Sequence, residues 1–357
     1  MLGFLNYPSW LHPDIIPGLP LRWYGLMYVF AFATTYLLFR YQLRRRRLDL
    51  TDDETVNLFF WGIVGVLIGG RIVGTTVYET TPFYLTHPWY IFWPFNAHMQ
   101  FVGLAGMSYH GGLLGATIGI VWYCRRKKLD ALEIGDIMVA GVPLGYTFGR
   151  LGNFINGELW GRATTVPWAV LYPRAELLPA NLPWVRAIAA KDGIPITSPN
   201  QMVNLPRHPS ELYEAFFEGI FLWLIIWFVL RKHRPYKGFL IGAYIFGYGF
   251  IRFIIEYYRE PDPGIRFPIA FGPHVLRAHP AYLDNFTMGQ ILCAMMMVTA
   301  IIYWIVMASK VRKNPANYVS VPAGGSLHRA MEPPPTSESR PAARMSSRKL
   351  NKRIKRQ

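Results

Sequence analysis

The chain has 357 residues, of which 52% are hydrophobic and only 16% charged; soluble domains are about one quarter charged, so the composition argues against a soluble globular enzyme. The net charge is +16, but Lys310 to Gln357 hold twelve Lys/Arg against two Glu, leaving +10 in that tail and +6 elsewhere. The basic balance is therefore no argument for a nucleic-acid partner, and two cysteines in or beside apolar runs, Cys124 and Cys293, give no disulfide framework.

In chain order, the start "MLGFLNYPSWLHPD" lacks a basic region and a small-residue cleavage site, so no removable signal peptide is expected. Apolar runs near the ~20 residues that cross hydrocarbon then predict seven transmembrane helices. They lie at about 22–40, 57–78, 101–123, 133–150, 209–230, 238–258 and 287–308, the fourth with Glu133 and Asp136 at its start. Basic clusters at 44–47, 125–128, 231–234 and 310–313 follow the first, third, fifth and seventh. The positive-inside rule puts these clusters in the cytoplasm, the N-terminus outside and the C-terminus in the cytoplasm.

The expected fold class is thus an all-α polytopic membrane protein. Residues 1–314 form its membrane domain, including a small extracytoplasmic domain at about 155–206 between the fourth and fifth helices, in a Pro-rich loop. Residues 315–357, rich in Pro, Ser, Arg and Lys, read as a disordered basic cytoplasmic tail that faces anionic lipid.

Polar residues gather where these helices meet the outer side. "GRLGNFINGELWGR" (149–162) ends the fourth helix, "RHPSELYEA" (207–215) starts the fifth and "YGFIRFIIEYYREPD" (248–262) ends the sixth. Charged and amide groups at an apolar segment's end are costly unless paired or functional. Arg252 and Glu256 are four apart on one helical face and form either a structural ion pair or an anion site in which Glu256 orients Arg252. Arg150 is a second cation at similar depth. Asn153 and Asn156 can donate and accept together, as a phosphate or a glycerol hydroxyl requires, or can simply cap the loop. His110, before Gly111 and Gly112, is either a packed histidine or a proton-transfer group. No metal-ligand constellation is visible, and neither a metal nor a cofactor is expected. Two arginines, a histidine and amides opening towards lipid suit an anionic phospholipid, whose phosphate Arg can grip bidentately.

Together these residues resemble the bacterial prolipoprotein diacylglyceryl transferase family. "GRLGNFINGELWGR", "YHGGLLG", "RHPSELYE", "RWYGLMY", "GGRI" and "FIRFIIEYYREPD" match in order and spacing, and the resemblance covers roughly residues 15–308. It implies an enzyme of the bacterial inner (cytoplasmic) membrane with its site towards the periplasmic side. That enzyme would move the diacylglyceryl group of phosphatidylglycerol to the thiol of a prolipoprotein's lipobox cysteine, next to the signal peptide, releasing glycerol 1-phosphate. Its important residues map to Tyr24, His110, Arg150, Asn153, Glu158, Gly161, Tyr248, Arg252 and Glu256. His110, Arg150 and Arg252 are then the catalytic candidates. Tyr24, Asn153, Asn156, Glu158, Gly161, Tyr248 and Glu256 are the phosphatidylglycerol-binding ones. A transporter or channel for a lipid or small anion, or a non-catalytic lipid-binding scaffold, would use the same arginines without turnover.

Overall fold

A computed structural model describes residues 3–16, 22–78, 83–95, 99, 106–261, 267–273 and 276–328. The chain is mostly helical. Its main helices are α1 (Trp23–Arg46), α2 (Asp52–Val73), the single turn α3 (Phe83–Thr86), α4 (Tyr109–Arg126), α5 (Ala131–Val139), α6 (Val142–Asn156), α7 (Pro183–Lys191), α8 (Ser210–Lys232), α9 (Phe239–Ile255) and α10 (Met288–Lys313). Segments Asp52–Thr76, Ser210–Lys232 and Met288–Lys313 are each long and apolar enough to cross a membrane, and Phe239–Ile255 is a shorter apolar helix. The chain is accordingly a membrane protein.

A helix coincides with each of the seven expected apolar runs, with two differences. The third begins at Tyr109, and residues 101–105 of that run lie outside the described residues. The fourth is two helices: α5 ends before Ala140, and α6 starts from Gly141 with Pro143 in its first turn. Proline lacks the N–H and clashes with the preceding turn, so it starts a helix well and continues one badly.

Helix ends follow local chemistry. Thr51 and Glu54 form a reciprocal capping box at the start of α2, as do Thr287 and Gln290 at α10, and the Asp130 carboxylate caps α5. Helix α2 packs along α4, α1 along α6, and α9 along α10, while α8 lies against α6 and α9. Between α6 and α8, residues 163–205 gather around a small core of their own. Leu178, Ala180, Val185, Ile188, Ala189, Val203 and Leu205 are all buried there, α7 lies on it, and β3 (Leu178–Pro179) pairs antiparallel with β4 (Met202–Val203). A parallel pair, β1 (Leu5–Asn6) with β2 (Val170–Leu171), ties the N-terminal arm to this unit.

The segment expected to be disordered from residue 315 is folded at its start. Residues 315–328 lie as a strap across the ends of α1, α2, α4 and α5. Leu327 is fully buried in the core formed by Phe39, Leu43, Leu58, Tyr123, Cys124, Ile134 and Ile137. Gly324 N–H donates to Arg46 O at 2.7 Å, Lys237 N–H to Tyr318 O at 3.0 Å and Asp130 N–H to Leu327 O at 2.8 Å. His328 reaches Asp49 at 3.3 Å and Glu54 at 3.1 Å. Leu327 and Val321 on the core, backbone bonds and the contacts of Arg46, Glu133, Asp49 and Glu54 hold a segment whose composition is that of a linker. Residues 329–357 lie outside the described residues.

Candidate active site

Helix α6 ends at Gly157, which takes φ 62° and gives its N–H to Phe154 O at 2.9 Å. That left-handed position favours glycine, and it turns the chain so that Glu158 folds back on the last helical turn. Asn153 Nδ2 donates to Glu158 Oε1 at 2.9 Å and Asn156 Nδ2 to the same oxygen at 3.2 Å. Arg150 Nη1 donates to Asn153 Oδ1 at 3.3 Å. Four of the expected residues therefore form one chain: Arg150, Asn153, Glu158 and Asn156. Tyr24 of α1 lies against Gly152, and its hydroxyl is 2.9 Å from that of Tyr28.

Helix α8 supplies the centre. Glu211, Glu214 and Glu218 fall three and four residues apart, on one face, and all are buried. Glu214 carries three cations: Arg150 Nε at 2.8 Å on one oxygen, and Arg252 Nη1 at 2.7 Å with Arg259 Nε at 2.9 Å on the other. Glu218 lies 3.5 Å from Arg252 and accepts from Tyr146 at 2.6 Å. The expected pair of Arg252 with Glu256 is present at 3.3 Å, but Glu256 also pairs with Arg259 at 3.3 Å and accepts from Thr287 at 3.1 Å. Tyr248 is buried, with its ring edge-on to Tyr146, 5.7 Å between centroids. Arg150 and Arg252 keep 16% and 12% of their side-chain surface exposed while Glu214 keeps 1%, so the cations are the accessible members of the network.

Two expected residues stand apart from it. Gly161 donates its N–H to His208 O at 2.8 Å, and a Cβ there would collide with Tyr258 O, so its contribution is a close backbone approach. His110 lies in the first turn of α4, exposed, on the helix packed along α2. Among the described residues, no hydrogen bond or ion pair of Arg150 or Arg252 reaches it.

A second buried set braces the loops above. Arg207 pairs with Glu260, which also accepts from Trp160 Nε1 at 3.2 Å and faces Arg277 at 3.2 Å. Burial pushes the Glu260 carboxyl up and the Arg162 guanidinium down to about 10. Burial also pushes the His208 imidazole down to about 4, so it is neutral and bonds Tyr213 at 3.1 Å.

The sequence reading missed Tyr146, Glu214, Glu218 and Arg259. A signal existed for the two glutamates: carboxylates inside an apolar helix are expensive and mark function by default. Tyr146 gave no such signal, because an aromatic in an apolar run reads as core.

Residues 14–306 match the family model described as prolipoprotein diacylglyceryl transferase. The chain is 45% identical over 330 residues to a phosphatidylglycerol–prolipoprotein diacylglyceryl transferase of Treponema denticola, covering 88% of this chain and 97% of that protein. It is 46% identical over 314 residues to the protein of that name in Treponema pallidum, covering 83% and 92%. With the one in Chlorobaculum tepidum it shares 39% over 301 residues, covering 83% and 90%.

Proposed function

From the premise that the chain belongs to the prolipoprotein diacylglyceryl transferase family, we infer that it works on phosphatidylglycerol at the Arg150–Glu214–Arg252 network. The reaction is the transfer of the diacylglyceryl group of phosphatidylglycerol to a prolipoprotein, the first step of lipoprotein maturation. The acceptor is the thiol of the lipobox cysteine beside the signal peptide. Its sulfur attacks the glyceryl carbon and a carbon–sulfur bond forms. The carbon–oxygen bond to phosphate breaks, and glycerol 1-phosphate leaves with the electron pair. The nucleophile belongs to the substrate, so neither Cys124 nor Cys293, both buried, is needed for the chemistry.

One observation carries this reading. Two arginines from different helices meet on opposite oxygens of a single buried carboxylate, at 2.8 and 2.7 Å. A phosphate entering beside Glu214 meets both guanidinia at once. Positioned charges in a dry site act where charge grows in the transition state, here on the departing phosphate. Asn153 and Glu158, one step beyond Arg150, offer a donor and an acceptor to the glycerol hydroxyls. Asn156 steadies Glu158, Tyr24 and Tyr248 wall the lipid's path, and Glu256 orients Arg252. Attack requires a thiolate. His110, at the exposed start of α4 and outside the arginine network, is the candidate to take the thiol's proton.

The remaining spans and the orientation belong to the same proposal. Seven crossings with basic clusters at every second loop put the network on the outer side of the bacterial inner membrane, where exported prolipoproteins arrive. The purified protein, incubated with phosphatidylglycerol and a lipobox peptide, should release glycerol 1-phosphate in step with peptide lipidation. Lipid binding or movement without that release would instead establish a scaffold or a transporter.

A further inference from the structure

Tyr146 belongs to no motif singled out in the sequence, yet it holds a place in the network that only a phenol can fill. It precedes Arg150 by four residues on α6, so the two share a face. Its hydroxyl accepts the Arg150 Nε–H at 2.6 Å and donates to Glu218 Oε2 at 2.6 Å. A hydroxyl has one proton to give and lone pairs to receive, so both bonds form together. The Arg150 guanidinium also lies over the Tyr146 ring, 4.8 Å from its centroid.

Beyond Glu218 the path continues. Glu218 lies 3.5 Å from Arg252 Nη1, Arg252 lies 2.7 Å from Glu214, and Glu214 lies 2.8 Å from Arg150 Nε. The result is a closed circuit, Arg150–Tyr146–Glu218–Arg252–Glu214, drawn from three helices. Without the Tyr146–Glu218 arm, Glu214 would be the one described group in contact with both arginines. That arm adds a second connection between them and fixes their separation.

We propose that Tyr146 is a positioning residue for diacylglyceryl transfer, locking the Nε edge of Arg150 and, through Glu218, setting the spacing of Arg150 and Arg252. With Nε engaged by Tyr146 and Glu214, the guanidinium's Nη edge is the part left to meet an anion; its described partner is Asn153 at 3.3 Å. Phenylalanine would keep the ring, the cation–π contact and the packing on Tyr248 while removing both hydroxyl bonds. The inference rests on the reading that Arg150 and Arg252 together grip the departing phosphate.

The test uses the full chain in detergent–phosphatidylglycerol micelles with a lipobox peptide. Tyr146→Phe should lower kcat about tenfold, the rate equivalent of one hydrogen bond to a charged group. KM for phosphatidylglycerol and the melting temperature should stay close to wild type, a split that a purely structural role would not give. Arg150→Lys removes the Nε–H, so adding Tyr146→Phe to it should cost nothing more. Wild-type kcat in Tyr146→Phe overturns the proposal, and so does a full tenfold loss in the Arg150→Lys background. Should Tyr146→Phe fail to fold, Glu218→Gln probes the same arm from its far end. Its loss of kcat should shrink in the Arg150→Lys background to the part owed to the Arg252 contact, and an undiminished loss there overturns the proposal. A wild-type rate for Arg150→Lys itself would sink the two-arginine reading instead, so the two failures are distinguishable.

Discussion

The two ends of the helix bundle hold ion clusters of equal count and different construction. At the site end, Glu214, Glu218 and Glu256 meet Arg150, Arg252 and Arg259. At the strap end, Asp130, Glu133 and Asp136 meet Arg46, Arg234 and Lys237. The strap-end carboxylates also take backbone donors. Asp136 accepts from Gly238 N–H at 2.8 Å and Ile241 N–H at 3.2 Å, Glu133 from Val321 N–H at 3.3 Å, and Asp130 from Leu132 N–H at 3.2 Å. Among the described residues, the three site-end carboxylates are bonded only by side chains, including Tyr146 and Thr287. Backbone donors are fixed by the segments that carry them. Long side chains can exchange one partner for another. The strap-end cluster is therefore a tie between elements, and the site-end cluster is a set of cations able to receive an anion.

The comparison breaks most readily at the tie. Asp136→Ala should destabilise the protein by about 3–5 kcal/mol, because it leaves buried partners uncompensated. Denaturant unfolding in detergent measures this, and turnover per folded molecule should stay near wild type. If the folded fraction lost turnover, the two clusters would not differ as argued.

The reciprocal change is Arg252→Lys, which keeps the charge and loses the planar fork. Turnover should fall about 100-fold, equivalent to roughly 2.7 kcal/mol, with little change in melting. Glu256→Gln should be milder, since an amide oxygen still accepts from Arg252. Initial rates with a lipobox peptide at saturating phosphatidylglycerol decide it, and a wild-type rate for Arg252→Lys would reduce that residue to a counter-charge.

The strap sharpens the contrast further. Leu327→Ala should cost about 2–5 kcal/mol, the range for a fully buried leucine. Truncation from Asn317 onward should lower the melting temperature while preserving turnover per folded molecule, whereas truncation after His328 should change neither. Equal melting for the two truncations would show that the strap holds nothing together.

The smallest effect is a pH dependence at the strap's end. Hydrogen bonding to Glu54 holds the His328 imidazole above its ordinary value, burial opposing and Asp49 assisting. Burial works to raise the Asp49 carboxyl, but hydrogen bonds from Ser326, the Leu327 N–H and His328 outweigh it and hold Asp49 below its ordinary range. The histidine's contribution is complete below the unfolded value of about 6.5 and is lost as pH rises through the raised folded value. The aspartate's is complete above about 3.9 and is lost as pH falls through its depressed value. The melting difference between wild type and His328→Ala should thus be largest between those limits and shrink in alkaline buffer. A difference that stayed constant with pH would remove the ionic part of the clasp.

Much of this was readable one segment at a time. The helices coincide with the apolar runs because a span must satisfy its backbone internally and be apolar over its length. The Arg252–Glu256 pair and the chain from Arg150 to Glu158 involve residues within eight positions of one another, so helix pitch and one left-handed glycine bring them together. Tertiary structure decided what local geometry could not. Glu214 joins Arg150, Arg252 and Arg259 across three segments, and Tyr146 reaches Glu218 72 residues away. The strap docks because α1, α2, α4 and α5 leave a space that Leu327 fills, a property of their packing rather than of the strap's composition. The sequence by itself determined where the chain turns apolar and which ionisable groups lie within or beside those runs, while the late start of the third helix and the break of the fourth at Gly141 came from the structure. Which charge faces which was settled by packing, because a buried charge takes its partners from whatever the fold brings within about 3 Å of it.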